Sequence, residues 1–334
     1  MTTSRQVHLA GRPSGWPMPE HFSLRDCEIP PLCEGEVRVR NTYLSVDPWM
    51  RGRMNSGFSY AEPYRIGEAL WGTAVGEVVK SESDILQVGD TVVHELGWRE
   101  HAWGPAGVFR RVNPTGDHGQ SLYLGVLGRP GLSAYVGLLD IARHQPGDVV
   151  FVSAGAGTVG SLVGQIAKLR GSRVIGSAGS DRKVTHLVED LHFDAAFNYH
   201  TTSPHVALRD LAPEGIDVYF DNVGGVHLEA AIDNMCSYGR IAACGAISGY
   251  NTTGPVLGPS NLFEIIARRL TMQGFISWDH LARRPSFETD VGRWLTSGEI
   301  LHHETIIEGI ENTPAAFIDM LKGSHIGKVV VRVD

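Results

Sequence analysis

Gly155, Gly157 and Gly160 follow the apolar run Val149 to Val152 at the spacing GxGxxG. A turn of this kind can bring a phosphate against backbone N–H groups. The spacing alone is a weak signal, because 40 glycines in 334 residues produce chance matches. Its surroundings strengthen it. The β-branched run suits a strand buried on both faces of a parallel sheet. Thr158 to Leu169 then reads as a helix in which Gly160, Gly164 and Ala167 turn a small-residue face to the sheet, while Val163 and Ile166 add apolar contact. Val174 and Ile175 supply a second strand at βαβ distance. The first glycine permits a tight turn, the second removes a side chain where a pyrophosphate must approach, and the third lets the helix pack closely. The helix start adds orphan N–H donors and a positive dipole end.

The tip of the second strand selects the dinucleotide. An NAD site places Asp or Glu there to hold the ribose 2′-OH. Here the chain reads Gly176, Ser177, Ala178, Gly179, Ser180, and Asp181 comes late with Arg182 and Lys183 behind it. That arrangement suits a 2′-phosphate, so NADPH is the expected cofactor. A solvated helix-start lysine is the alternative reading of Lys183. Tyr199 falls at the tip of a third strand, Ala195 to Phe197, where an adenosine phosphate could meet it.

Reduction by such a cofactor needs an electrophilic carbon and, without a metal, hydrogen-bond donors that polarise its partner. A zinc alcohol dehydrogenase would carry a ligating Cys near 44–47, a Gly-His-Glu and a four-Cys lobe. This chain has Ser45, Gly67-Glu68 without His, and His94-Glu95 with no cysteine partner. No metal is expected, and His94 reads as an ordinary strand-end histidine. An enone or enal fits metal-free chemistry, because addition at the β-carbon places developing charge on a carbonyl oxygen. Tyr250 is the leading donor, with packing over the nicotinamide as its alternative role. Tyr64 and Tyr60 are weaker substitutes. Trp49, Met50 and Met54, around the Asp47-Pro48 turn, form either loop packing or a substrate wall.

These residues require two domains to hold them, which is also the prior for 334 residues. Apolar residues at 42% and charged residues at 20% describe a globular chain, and a net charge of −8 without a basic run argues against nucleic acid. No basic amphipathic segment points to a membrane surface. Val149 to Ala167 is uncharged, but its glycines, serines and Gln165 fit strand, turn and helix better than a membrane span. Cys27, Cys33, Cys236 and Cys244 form no CxxC, and the first residues lack an apolar signal core, so a reducing, cytoplasmic setting is expected. Residues 1 to about 125 read as short strands broken by Gly and Pro. Leu132, Tyr135, Val136 and Leu139 give a following helix its apolar face, and a further helix is expected near Lys183 to Leu191. Ile216 to Gly225 and Gly239 to Asn251 repeat the pattern of a buried strand ending in turn residues.

The segments NTYLSVDPWMRGRM, LGVLGRPGLSAYVGLLDI, VGSLVGQIAKLRG, GSAGSDRK, FNY, FDNVGG, CGAISGYN and QGFI occur in an order that resembles the zinc-independent medium-chain dehydrogenase/reductases. Within them the chain is similar to the leukotriene B4 dehydrogenase/prostaglandin reductase group, which includes curcumin and double-bond reductases. The resemblance implies an α/β fold: a Rossmann doubly wound parallel sheet, residues 126–299, inserted into a GroES-like β-rich catalytic domain, residues 1–125 with 300–334. It implies cofactor contacts at Gly157, Thr158, Val159, Gly160, Ser180, Lys183, Tyr199, Asn222, Cys244, Gly245, Ala246, Ile247, Ser248, Phe275, Ile276 and Ser277. His325 stands where the group usually has an asparagine and is expected among the cofactor contacts. Trp49 replaces a common Tyr, Arg129 a common apolar residue, and Ala267 a tyrosine that some members use on the substrate carbonyl. The implied activity is NADPH-dependent reduction of α,β-unsaturated ketones or aldehydes; quinone reduction and non-catalytic NADPH binding are the alternatives. A homodimer is also implied, with GRIAACGAIS and QGFIS as the candidate sheet edge.

Overall fold

A computed structural model describes residues 3–57, 59–114 and 119–333. The chain divides into two units, Met1–Leu124 with Glu304–Asp334, and Gly125–His303.

The Gly125–His303 unit holds six strands: Val149–Val152, Arg173–Ala178, Ala195–Asn198, Ile216–Asp221, Met235–Ala243 and Thr271–Gly274. They form one all-parallel sheet in the spatial order third, second, first, fourth, fifth, sixth. Strand order therefore reverses between Val149–Val152 and Ile216–Asp221, and a crevice opens at the carboxyl ends of two such strands. Apolar runs explain the burial. Phe151 and Tyr219 are fully buried neighbours with stacked rings 4.9 Å apart, and Phe197 lies 6.0 Å from Phe151. Full burial of one such side chain contributes about 1.5–3 kcal/mol.

Two helices depart from simple periodicity. The helix Arg129–Val136 runs into a π-helical turn, Gly137–Ile141, which delays the helical phase, so Leu138 and Ile141 are buried while Leu139 is only partly so. The helix expected over Lys183 to Leu191 is likewise α-helical at Asp181–Thr185 and π-helical at His186–Asp190. Half of the expected edge needs correction. Met235–Ala243, which holds most of GRIAACGAIS, is paired on both sides, whereas Gln273 and Gly274 of QGFIS belong to Thr271–Gly274, one of the sheet's two edge strands, whose four residues are all exposed.

The other unit contains a two-stranded ribbon, Thr3–Leu9 with Phe22–Glu28, and a seven-stranded sheet. The sheet's centre is Glu36–Ser45, flanked by Ala74–Ser81 and by the C-terminal strand Lys328–Arg332, both antiparallel to it. Trp98 is fully buried among Phe22 and Phe317, and its Nε1 donates to the Ser45 carbonyl at 2.9 Å. His94 is buried, with Nε2 2.8 Å from Asn41 Oδ1 and Nδ1 accepting from Leu96 N–H at 3.1 Å. Burial lowers its pKa to about 3, so it is a neutral, satisfied core histidine.

Ser45 lies beside a buried cation. The Lys328 ammonium is 2.6 Å from Ser45 Oγ, 2.6 Å from Asp47 Oδ1 and 3.0 Å from the Val46 carbonyl. Ser45 Oγ donates to Asp47 Oδ2 at 2.5 Å. With all three ammonium donors engaged, this is the satisfied form of a buried ion pair. Among the described residues no cluster of His, Cys, Asp and Glu could hold a metal, and no helix is long and apolar enough to cross a membrane.

Candidate active site

The glycine turn begins at Ser153, directly after the first parallel strand. The left-handed conformation falls on Ala154 (φ 51°), not on a glycine. Gly155 N–H donates to the Ser177 carbonyl at 2.8 Å, tying the turn to the second strand. An added Cβ at Gly160 would lie 2.5 Å from the Ala154 oxygen and 2.9 Å from Gly155 Cα, so this glycine is fixed by the helix packing on its own turn. At Gly157 a Cβ would meet only the Ala154 oxygen at 3.4 Å, which leaves room on the ligand side of the backbone. Gly157 is the N-cap of helix Thr158–Leu169, and no side chain caps its first turn. Thr158 and Val159 begin that helix, so open space and uncapped N–H donors coincide.

At the second strand's tip, Ser180 caps the helix Asp181–Thr185, its Oγ accepting from Lys183 N–H at 3.4 Å. Lys183 is half-buried, and desolvation followed by the charge of Arg182 lowers its pKa, a condition that an anion would relieve. Asp181, the late acid, accepts from Asn198 Nδ2 at 2.8 Å. Tyr199 closes over the same tip: a Cβ at Gly179 would lie 2.8 Å from its hydroxyl. A dinucleotide carrying a 2′-phosphate fits these residues, through the space at Gly157 and the desolvated cation beside Gly179 and Tyr199.

At the strand-order reversal, the loops after the fourth and fifth strands interlock. Asn222 N–H donates to Ser153 Oγ at 2.9 Å and its Nδ2 to the Ser153 carbonyl at 2.8 Å. The Asp221 carboxylate accepts from Gly224 N–H at 2.7 Å, Val223 N–H at 2.9 Å and the Tyr219 hydroxyl at 2.7 Å. Burial raises its pKa, and those donors oppose the rise. Cys244 and Gly245 donate backbone N–H to the Asp221 carbonyl, Ile247 to Asn222 and Ser248 to Val223. Burial pushes the Cys244 thiol up to about 12, with Asp221 adding to the rise, so it is a neutral thiol at physiological pH.

Tyr250 ends the short helical turn Ile247–Gly249. Its hydroxyl oxygen accepts from Ala246 N–H at 3.4 Å, and among the described residues no acceptor takes its proton. Burial raises its pKa, so the phenol remains a donor. Phe275 follows the sixth strand, its ring edge-on to Phe220 at 6.2 Å and against Gly137, where a Cβ would lie 2.4 Å away. Ile276 is half-buried and Ser277 buried.

The expected residues after all six parallel strands thus share one end of the sheet. Two do not. His325 lies in the other unit, as does Tyr64. Tyr64 is corrected as a substitute carbonyl donor: it is buried, its hydroxyl already donates to the Trp71 carbonyl at 2.5 Å, and burial raises its pKa far above the ordinary value. Sequence reasoning missed Ser153, Asp221 and His227. The buried His227 packs edge-on to Tyr199 at 5.1 Å with Nε2 unpartnered, and burial lowers its pKa to about 4. The acid in FDNVGG was a visible signal for Asp221; Ser153 and His227 had none.

Sequence models described as the N-terminal domain of oxidoreductase and as zinc-binding dehydrogenase match residues 5–112 and 158–296. Prostaglandin reductase 1 of Rattus norvegicus is 45% identical over 95% of this chain and 95% of its own length. The NADPH-dependent curcumin reductase of Escherichia coli is 40% identical over 99% and 97%. The crystal structure of CurA from Vibrio vulnificus in complex with NADPH superposes with a TM-score of 0.94 at 40% identity, covering 99% of each chain. The chain belongs to the medium-chain dehydrogenase/reductase superfamily, in the zinc-independent group of the prostaglandin and curcumin reductases.

Proposed function

We propose that the protein is an NADPH-dependent ene reductase that saturates the C=C bond of α,β-unsaturated ketones or aldehydes. The observation that carries this reading is the uncommitted hydroxyl proton of Tyr250, at the same end of the sheet as the glycine turn and the Lys183 tip. Relatives named prostaglandin reductase and NADPH-dependent curcumin reductase support it. The first helical turn after Gly157 and the cation at Lys183 hold the cofactor's phosphates. Asn222 and the 244–248 loop, fastened to each other through Asp221, hold the nicotinamide end, and Phe275 to Ser277 complete that wall. When bound, NADPH supplies hydride to the β-carbon of the enone. Tyr250 donates a hydrogen bond to the carbonyl oxygen as negative charge develops there, and solvent delivers the proton to the α-carbon. The neutral Cys244 thiol takes no nucleophilic part.

NADPH oxidation measured across enones, enals, quinones and allylic alcohols tests this directly. Enones and enals should be turned over in preference. Turnover confined to quinones, or tight NADPH binding without oxidation across the panel, would replace the reading.

The working form is a homodimer joined along the Thr271–Gly274 edge. That strand's exposed backbone edge invites pairing, and the helix just before it exposes Phe263 at 73% and Ile266 at 72%. Light scattering at micromolar concentration should report two chains per particle; a monomer there would discard the arrangement.

A further inference from the structure

Strand alternation in the two-stranded ribbon puts Ser4, Gln6 and His8 on one face, with Cys27, Arg25 and Ser23 opposite them. On that face a thiol meets an imidazole. The Cys27 sulfur lies 3.7 Å from His8 Nε2, within hydrogen-bond reach for sulfur, and Cys27 is partly exposed. His8 Nδ1 lies 2.8 Å from the Gly67 carbonyl, which only an N–H can satisfy. Burial lowers the His8 pKa, the Gly67 bond opposing that fall and Arg99 and Arg25 adding to it. The ring is therefore neutral at physiological pH, its proton is held on Nδ1, and the Nε2 lone pair faces the thiol. The Gln6 carboxamide, 3.3 Å from the same nitrogen, is the other polar group there.

Arg99 makes the place electropositive. Its Nε is sealed from solvent with no hydrogen-bond partner, and among the described residues it forms no ion pair. Burial lowers its pKa to about 10, and the negative charge of a Cys27 thiolate opposes the fall. Arg25 adds a second cation on the same face, while Asp26 and Glu28 alternate onto the other. The remaining cysteines lack this setting. Cys33 is exposed, and its backbone N–H donates to the Glu36 carboxylate at 2.9 Å. Cys236 donates its thiol proton to the Glu214 carbonyl at 3.4 Å, and burial followed by Asp217 raises its pKa. Cys244 is the buried neutral thiol. Only Cys27 combines access, a base in reach and positive surroundings, the conditions under which a thiol becomes a nucleophile.

We propose that Cys27 and His8 form a covalent modification site for α,β-unsaturated aldehydes and ketones, in the unit that does not carry the glycine turn. His8 Nε2 takes the thiol proton as the sulfur forms a bond to the β-carbon, and Arg99 stabilises the sulfur while it is anionic. The C=C electron pair moves towards the carbonyl as an enolate. Solvent then protonates the α-carbon, and His8 returns its proton to solvent. The product is a thioether at Cys27, formed without cofactor or oxidant. The electrophile class is that of the ene-reductase reading, but the addition asks nothing of NADPH, so the two stand or fall separately.

The test adds methyl vinyl ketone to the full chain without NADPH and follows adducts at each cysteine by peptide mass spectrometry. Cys27 should be labelled first, about tenfold or more faster than the more exposed Cys33. In guanidinium chloride that preference should vanish, because folded contacts create it. His8→Gln should bring Cys27 down to the rate of Cys33. The wild-type comparison needs no variant, so it decides the matter even where His8→Gln folds poorly. Cys33 labelled as fast as Cys27, a preference that persists in denaturant, or a folded His8→Gln with unchanged labelling at Cys27 overturns the proposal. NADPH oxidation with the same ketone is measured apart and bears only on the ene-reductase reading.

Discussion

Tyr250→Phe should lower kcat and kcat/KM together while leaving NADPH affinity nearly unchanged. The hydroxyl accepts a long hydrogen bond from Ala246 N–H and has no acceptor for its own proton among the described residues. Burial raises its pKa, so it stays protonated through the physiological range. A neutral donor aimed at a carbonyl gains strength as the oxygen becomes enolate-like, so its loss is felt in the transition state more than in the ground state. Removal of one donor from a well-formed oxyanion site costs about 2.7–4 kcal/mol, and a second donor, the 2′-hydroxyl on the nicotinamide ribose of the bound cofactor, would reduce that figure. Tyr64 cannot take over, because its proton is committed to Trp71. A Phe variant with wild-type kcat on its best enone, with labelled NADPH showing that chemistry limits the rate, would leave Tyr250 a packing residue only.

Lys183→Ala should weaken NADPH binding by about 1–3 kcal/mol and change NADH binding little. The lysine is held at the second strand's tip by the Ser180 cap, beside Gly179 and Tyr199. Its pKa is lowered by burial and by Arg182, so a phosphate there would relieve both effects. Calorimetric titrations with each cofactor give the comparison. Equal losses for NADPH and NADH would mean that Lys183 supports the loop without reading the phosphate.

Features with local causes were legible in the sequence. The glycine spacing, the apolar strand runs and the absent acid after Ala178 act within a few residues, and they announced a parallel sheet and a phosphate-binding turn. Features set by long-range closure were not legible. Ser153 and Asn222 meet across 69 positions, and nothing near either residue foretells the bond. Apolar content alone could not say that Met235–Ala243 lies inside the sheet while Thr271–Gly274 is an edge, because that depends on which strand pairs last. The π-turn at Gly137–Ile141 shifted burial from Leu139 to Leu138 and Ile141 by a change of helical phase that a fixed 3.6-residue period misses. Tyr64 lay in an aromatic-rich loop, and only packing revealed that its hydroxyl was already engaged.

The Lys328 ammonium and the groups it holds have a consequence for the order in which the molecule is made. Lys328 and Ser45 are 283 positions apart, and the strand that carries Lys328 lies between Glu36–Ser45 and Glu304–Glu308 in the sheet. A ribosome adding about 5–20 residues per second separates the two by roughly a quarter of a minute to a minute. Throughout that interval Asp47 lacks its cation and residues 43–45 lack the C-terminal strand, while residues 36–40 can already pair with His101–Pro105. The Gly125–His303 unit is continuous in sequence and has no such wait. The nucleotide-binding unit can therefore close while the chain is still growing, and the other unit is completed only once Lys328–Arg332 has emerged.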